Sequence, residues 1–138
     1  MDKPFSQACE NNKEPILEVL NQYLVGKEYI LEIGSGTGQH ARYFADNLPN
    51  IVWQTSDVQE NHLGIEAWIR NSQYNNILSP LPLNVNHTHF WPTDSFDTIF
   101  TANTMHIMSW PEVQLMFKLI AACLNDNGTF FSYGPYNQ

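Results

Sequence analysis

The sequence predicts a doubly wound α/β domain, a mostly parallel sheet with helices on both faces. Three observations carry this reading. Short apolar runs alternate with amphipathic stretches along the whole chain. The first apolar run, Tyr29-Ile30-Leu31-Glu32-Ile33, ends in the loop Gly34-Ser35-Gly36-Thr37-Gly38. The second, Ile51-Val52-Trp53-Gln54-Thr55-Ser56, ends in Asp57. A glycine loop after the first strand and an acid after the second are the marks of a Rossmann-like, three-layer α/β/α nucleoside-binding fold.

The elements follow from periodicity and punctuation. Pro15 suits the first turn of a helix, where its missing N–H costs nothing. Ile16, Leu17, Leu20 and Leu24 then form an apolar stripe that Gly26 stops. After the glycine loop, Ala41, Phe44, Ala45 and Leu48 recur with helical spacing, and Pro49-Asn50 ends that helix. A third helix is expected over 61–71, with Ile65, Trp68 and Ile69 on one face. The next strand is expected from Leu81 to Val85. Pro80 and Pro82 place it at a sheet edge, because proline cannot donate to a ladder. Phe96 to Thr101 reads as the fourth strand. Ser109-Trp110-Pro111-Glu112 is a capping box that opens a helix striped by Val113, Met116, Phe117, Ile120, Ala121 and Leu124. Asn127-Gly128 is expected to close it, and Thr129 to Tyr133 is the fifth strand.

A chain of 138 residues is one domain's worth, and residues 1–138 are read as a single domain. The charge balance is acidic, with 14 Asp and Glu against 6 Lys and Arg, a formal −8. Six scattered cations form no stripe, which argues against a nucleic-acid partner and against anionic membranes. The N-terminus has no apolar core of a secretory signal, and no run is long enough to span a bilayer. Cys9 and Cys123 form no CxxC and read as free thiols. The expected location is the cytoplasm.

The chemistry is concentrated in the glycine loop. Glycines there permit left-handed backbone and close approach of a ligand, and the following helix aims free N–H groups at the site. A dinucleotide fold uses G-x-G-x-x-G against a pyrophosphate. Here the spacing is G-x-G-x-G, with Glu32 two residues before the first glycine. S-adenosylmethionine carries an ammonium and a sulfonium and no phosphate, so Glu32 favours it, whereas the same carboxylate would repel a pyrophosphate. Asp57 can accept hydrogen bonds from ribose hydroxyls. It supports a nucleoside without choosing between the two cofactors.

The stretch Ile30-Leu31-Glu32-Ile33-Gly34-Ser35-Gly36-Thr37-Gly38 resembles the first motif of the class I S-adenosylmethionine-dependent methyltransferases. The chain is most similar to their DUF938, or methyltransferase-like 26, family. The features that carry this are Asn12-Lys13-Glu14-Pro15-Ile16-Leu17, Trp53-Gln54-x-Ser56-Asp57, Asn103-x-Met105-His106-Ile107 and Tyr133-Gly134-Pro135. The resemblance implies a strand order of 3-2-1-4-5 and S-adenosylmethionine as cofactor. The superfamily sheet usually continues past the fifth strand, and this sequence departs from it in an expected sheet truncated there. The resemblance also implies that Glu32, Gly34, Ser35, Gly36, Thr37 and Gly38 hold the methionine moiety, that Asp57 holds the ribose, and that the neighbouring Val58 belongs to the cofactor site. Asn84 stands where the superfamily usually has an acid for the adenine amino group, with Val85 beside it. Asn103 matches the position lining the methyl-transfer mouth. A sheet ending at the fifth strand leaves an open edge through which two copies could pair.

In-line methyl transfer demands alignment more than a base, because the cofactor carries the reactive carbon. His106 is the candidate general base, against the alternative of a packing histidine between Met105 and Ile107. His40 is a candidate for capping or lining the cofactor pocket, or a helix-surface residue. Tyr133 either lines the acceptor pocket or simply ends a strand. His87-x-His89 lacks a third ligand and is read as a loop pair, with no metal expected. The expected activity is methyl transfer to a small-molecule acceptor. The alternatives are a cofactor-binding domain without activity and, behind that, an NAD-type oxidoreductase.

Overall fold

Five strands form one sheet in which every pairing is parallel: β1 (Tyr29–Glu32), β2 (Val52–Asp57), β3 (Ile77–Pro82), β4 (Phe96–Ala102) and β5 (Leu124–Tyr133), in the order β3-β2-β1-β4-β5. The structure is a computed structural model that describes residues 3–24, 26 and 28–134, the side chain of His106 excepted. Pro135 of the last sequence motif therefore lies outside the described residues.

Alternation along the strands sends side chains to two cores. Ile30, Trp53 and Phe100 face helices α1 (Gln7–Tyr23), α2 (Gln39–Asn47) and α3 (His62–Ile69), packing with Ile16, Leu20, Phe44 and Ile65. Leu31, Phe96 and Ile99 face α4 (Trp110–Cys123), packing with Met116, Leu119 and Cys123. The central strand is covered on both faces, which is why it reads as an unbroken apolar run.

Three elements differ from their sequence signals. The first helix begins at Gln7, not at Pro15. Ser6 is its N-cap, accepting from the Cys9 N–H at 3.4 Å, and Pro15 lies in the helix interior. The first half of α1 is polar and its ends are fixed by contacts with other elements, so periodicity misses it. β3 runs from Ile77 to Pro82, upstream of the expected 81–85, with Ile77 opposite Trp53. It is an edge strand paired only to β2, where Pro80 and Pro82 forfeit no needed hydrogen bond. Leu83, Asn84 and Val85 thus leave the sheet and are free to wall a cavity. α4 has the expected capping box, with Glu112 N–H donating to Ser109 Oγ at 3.3 Å and Ser109 N–H to Glu112 Oε1 at 3.0 Å. It stops at Cys123, four residues before Asn127-Gly128, because β5 starts at Leu124. The register slips between Phe96↔Leu124 and Thr98↔Thr129, so the residues between bulge from the ladder.

No helix among the described residues is long and apolar enough to cross a membrane.

Candidate cofactor site

β1 lies between β2 and β4, and the loops at the carboxyl ends of these strands build the site. The glycine loop is clamped to β2 by a serine pair. Ser35 N–H donates to the Ser56 carbonyl at 2.7 Å, Ser56 N–H returns to Ser35 Oγ at 3.0 Å, and Ser56 Oγ donates to the Glu32 carbonyl at 2.5 Å. Gly38, at φ 94°, is the N-cap of α2. A Cβ there would stand 3.0 Å from the Ile65 backbone and 3.1 Å from Trp68, so this glycine lets α3 pack against the loop. Gly36, at φ 60°, opens instead on free space, with no atom within 4 Å of a Cβ built on it. Two residues beyond the end of β4, Thr104 presses on Gly34, where a Cβ would meet its Oγ1 at 3.0 Å.

Two acids frame the loop. The Glu32 carboxyl is buried and accepts from Trp53 Nε1 at 3.1 Å. Burial pushes its pKa up to about 7, the nearby Asp57 charge adds to that push, and hydrogen bonds from Trp53 and Ser35 oppose it. Asp57 sits at the tip of β2. Its Oδ2 accepts from Gly36 N–H at 2.8 Å, and its Oδ1 accepts from Val58 N–H at 2.7 Å and Asn61 Nδ2 at 3.0 Å. A carboxylate offers about four lone-pair sites, so one stays open to a ligand hydroxyl without rearrangement.

Both acids wall one cavity of about 340 Å³, together with Gly34, Ser35, Gly36, Thr37, His40 and Asn103. An adjoining cavity of about 230 Å³ is lined by Val58, Asn84 and Val85, and shares Gly34, Asp57, Thr104 and Ile107 with the first. Neither wall carries a lysine or arginine among the described residues. Asn84 Oδ1 already accepts from Asn86 N–H at 2.9 Å, which leaves one lone pair and the amide N–H₂ for a ligand.

Asn103 adopts the left-handed conformation, φ 57°, costly for a residue with a Cβ. Its N–H donates to the Tyr133 carbonyl at 2.7 Å, and Gly134 packs against its backbone. This join of β4 to β5 fixes Asn103 on the cavity wall. Tyr133 lines neither cavity; its hydroxyl donates to Asn12 Oδ1 at 3.1 Å and ties β5 to α1. The backbone of His106 lies in a single 3₁₀ turn, Met105–Ile107, and its side chain lies outside the described residues. His87 lines an adjoining cleft with Phe90, which shares Val58, Leu83 and Asn84 with the second cavity, and His89 lies in the turn Thr88–Phe90.

The N-terminal strap, absent from the sequence reading, supplies Ser6, Ala8 and Cys9 to the cavity wall. Gln39 holds it. Its Oε1 accepts from Ser6 N–H at 2.5 Å and from Thr37 Oγ1 at 3.0 Å; its Nε2 donates to the Ser6 carbonyl at 3.3 Å and to Glu10 Oε2 at 2.8 Å. Farther out, Trp68 Nε1 donates to the Pro4 carbonyl at 2.5 Å. The sequence shows there only a glutamine just after the glycine loop, and its burial is visible in the structure alone. Gln39→Leu should cost about 1–3 kcal/mol, the penalty for stranding buried polar groups. The strap should also become the first site cut in limited proteolysis; an unchanged cleavage pattern would deny Gln39 this function.

The sheet order, the glycine loop and the paired acids define the methyltransferase-type Rossmann fold. Coclaurine N-methyltransferase bound to N-methylheliamine and SAH superposes with a TM-score of 0.74 at 14% identity, over 89% of this chain and 35% of that one. The PH0226 protein of Pyrococcus horikoshii gives 0.77 at 15% identity, over 93% and 59%. The S-adenosylmethionine-dependent methyltransferase SibL gives 0.78 at 12% identity, over 91% and 36%. The chain thus spans between about a third and three-fifths of the length of these structures. Residues 3–138 match the family described as "Protein of unknown function (DUF938)", and the chain belongs to that family.

Proposed function

We propose that the protein binds S-adenosylmethionine and transfers its methyl group to a small-molecule acceptor. The observation that carries this reading is that Glu32 and Asp57, from the tips of adjacent strands, wall one cavity with the bare backbone of Gly36 between them. When bound, the cofactor supplies a methyl carbon activated by a sulfonium. Glu32 holds the ammonium, Asp57 accepts from a ribose hydroxyl, and Val58, Asn84 and Val85 surround the adenine. Acidic walls without lysine or arginine suit a ligand carrying a sulfonium and oppose a pyrophosphate, which argues against the dinucleotide reading. Asn103, strained and fixed on the cavity wall, positions the acceptor. His106 is the candidate for taking a proton from it.

A second reading, a cofactor-binding domain without turnover, draws support from Tyr133, the acceptor-side candidate on β5, which lies off both cavities. Calorimetry should give binding of S-adenosylmethionine and none of NAD. Tritiated methyl transfer across alcohols, thiols and amines separates the two readings. Asp57→Ala and Glu32→Gln should each weaken cofactor binding by about 1–3 kcal/mol; full affinity in both variants would remove these roles. The reading includes a cytoplasmic location and no nucleic-acid or membrane partner. It also includes pairing of two copies through the outer edge of β5, which among the described residues is bonded only to β4; sedimentation tests this pairing.

A further inference from the structure

We infer that Glu32 carries a proton in the empty cavity and gives it up as the cofactor's ammonium arrives, so that the site exchanges a proton for a cation. The inference rests on the reading of this cavity as an S-adenosylmethionine site and adds the protonation change that accompanies its filling.

The geometry leaves an acid unmatched on the wall. Glu32 is 2% exposed, and Trp53 Nε1 donates to one of its oxygens at 3.1 Å. A buried carboxylate without a cation takes up a proton, because burial penalises the charged form. The elements around Glu32 supply no cation. β2 brings Asp57, a second acid on the same wall. α1 brings the Cys9 thiol, whose pKa burial raises, and α2 brings His40, whose pKa burial lowers, so both are held toward their neutral forms. β4 sets Phe100 opposite Glu32. Lys13 is bound to Glu10 at 2.7 Å and lies over the Tyr43 ring. No lysine or arginine among the described residues lines the cavity.

Of the two acids, Glu32 is the one that takes the proton. Asp57 meets three donors, Gly36 N–H, Val58 N–H and Asn61 Nδ2, which suit a carboxylate. Glu32 is the more deeply buried, and hydrogen bonds from Trp53 and Ser35 do not offset that burial. The cofactor then brings what the wall lacks. Its ammonium favours the charged form of Glu32 by an attraction that a water-poor site strengthens. The carboxylic acid loses its proton to solvent, and carboxylate and ammonium remain as a pair. Because the free protein holds the extra proton, acid competes with the cofactor. Affinity should therefore rise with pH and level off above about pH 7. A nucleoside without the amino-acid end leaves the proton in place.

The test compares S-adenosylhomocysteine with 5′-methylthioadenosine, which keeps the nucleoside and the thioether but has no ammonium. Calorimetry near pH 6 in buffers of different ionisation enthalpy counts the protons exchanged. The wild-type protein should release close to one proton with S-adenosylhomocysteine and none with methylthioadenosine. Affinity for the first should rise about five- to tenfold from pH 5 to pH 6, below the range near pH 8 where the ligand's own amine titrates; affinity for the second should stay flat. Glu32→Gln should bind S-adenosylhomocysteine more weakly, with neither proton release nor this pH dependence, whereas His40→Phe should retain both. In the wild-type protein, carbon NMR with labelled glutamate should show Glu32 protonated when the site is empty and ionised with S-adenosylhomocysteine, a readout independent of whether the variants fold. A Glu32 already ionised in the empty site near pH 6, or proton release that survives Glu32→Gln, would overturn the exchange alone. Failure of both ligands to bind would instead overturn the cofactor reading beneath it.

Discussion

Alanine at Gly38 should remove much of the protein's stability, whereas alanine at Gly36 should cost the fold less and close the site. Both glycines are left-handed, at φ 94° and 60°, so each substitution incurs strain of about 1–2 kcal/mol. At Gly38 the new methyl also meets the Ile65 backbone at 3.0 Å, which cannot swing aside as a side-chain end could. Overpacking of this kind costs about 1–3 kcal/mol more, out of a total stability of about 5–15 kcal/mol for a typical domain. At Gly36 the methyl enters space open to the cavity, so its principal effect falls on the ligand. Denaturant melts of the two variants, paired with calorimetry, should separate them: Gly38→Ala unfolds earlier than Gly36→Ala, which loses only the roughly 1–2 kcal/mol of backbone strain but also loses cofactor affinity at least about tenfold, the equivalent of 1.4 kcal/mol. Equal melting of the two would contradict the packing role given to Gly38.

Glu32 should make the protein less stable as pH rises. Its pKa goes from the ordinary 4.5 up to about 7, chiefly through burial, so the folded state holds a proton that the unfolded chain has released. The raised pKa favours folding below about pH 4.5, and that contribution is lost progressively until pH passes about 7. A shift of this size corresponds to roughly 3 kcal/mol, at 1.36 kcal/mol per unit. Glu32→Gln keeps an oxygen for Trp53 Nε1 and cannot ionise. It should be more stable than wild type at pH 8, close to it at pH 4, and weaker in binding the cofactor. A gain in stability with a loss of binding is what a buried acid kept for its ligand produces. A wild-type protein whose stability is flat between pH 5 and 8 in comparison with Glu32→Gln would refute the assignment.

The parts legible in the sequence are those whose physics is local. Gly34-Ser35-Gly36-Thr37-Gly38 behind an apolar strand and Asp57 at the next strand's end marked residues that line the candidate cavity, Gly38 excepted, because a strand-to-helix turn and a strand tip are decided within a few residues. Ser109 and Glu112 announced α4 for the same reason. What escaped depends on contacts distant in sequence. The first half of α1 is polar and is fixed by Gln39, 33 residues from Ser6, while Pro4 is held by Trp68, 64 residues away. Thr104 walls the site because β4 lies beside β1, a property of sheet order and not of its neighbours in sequence. Pro80 and Pro82 correctly marked an edge, yet they drew the expected strand downstream of Ile77. Tyr133 has the chemistry of an acceptor-pocket residue, but its hydroxyl turns to Asn12.

A crystal structure of the protein grown with S-adenosylhomocysteine tests the central claim most directly. The expected density runs over the backbone of Gly36, with the amine within hydrogen-bond reach of Glu32, a ribose hydroxyl on Asp57 and the adenine against Val58 and Val85. A ligand bound elsewhere, or density in which either acid turns away from it, would contradict the account.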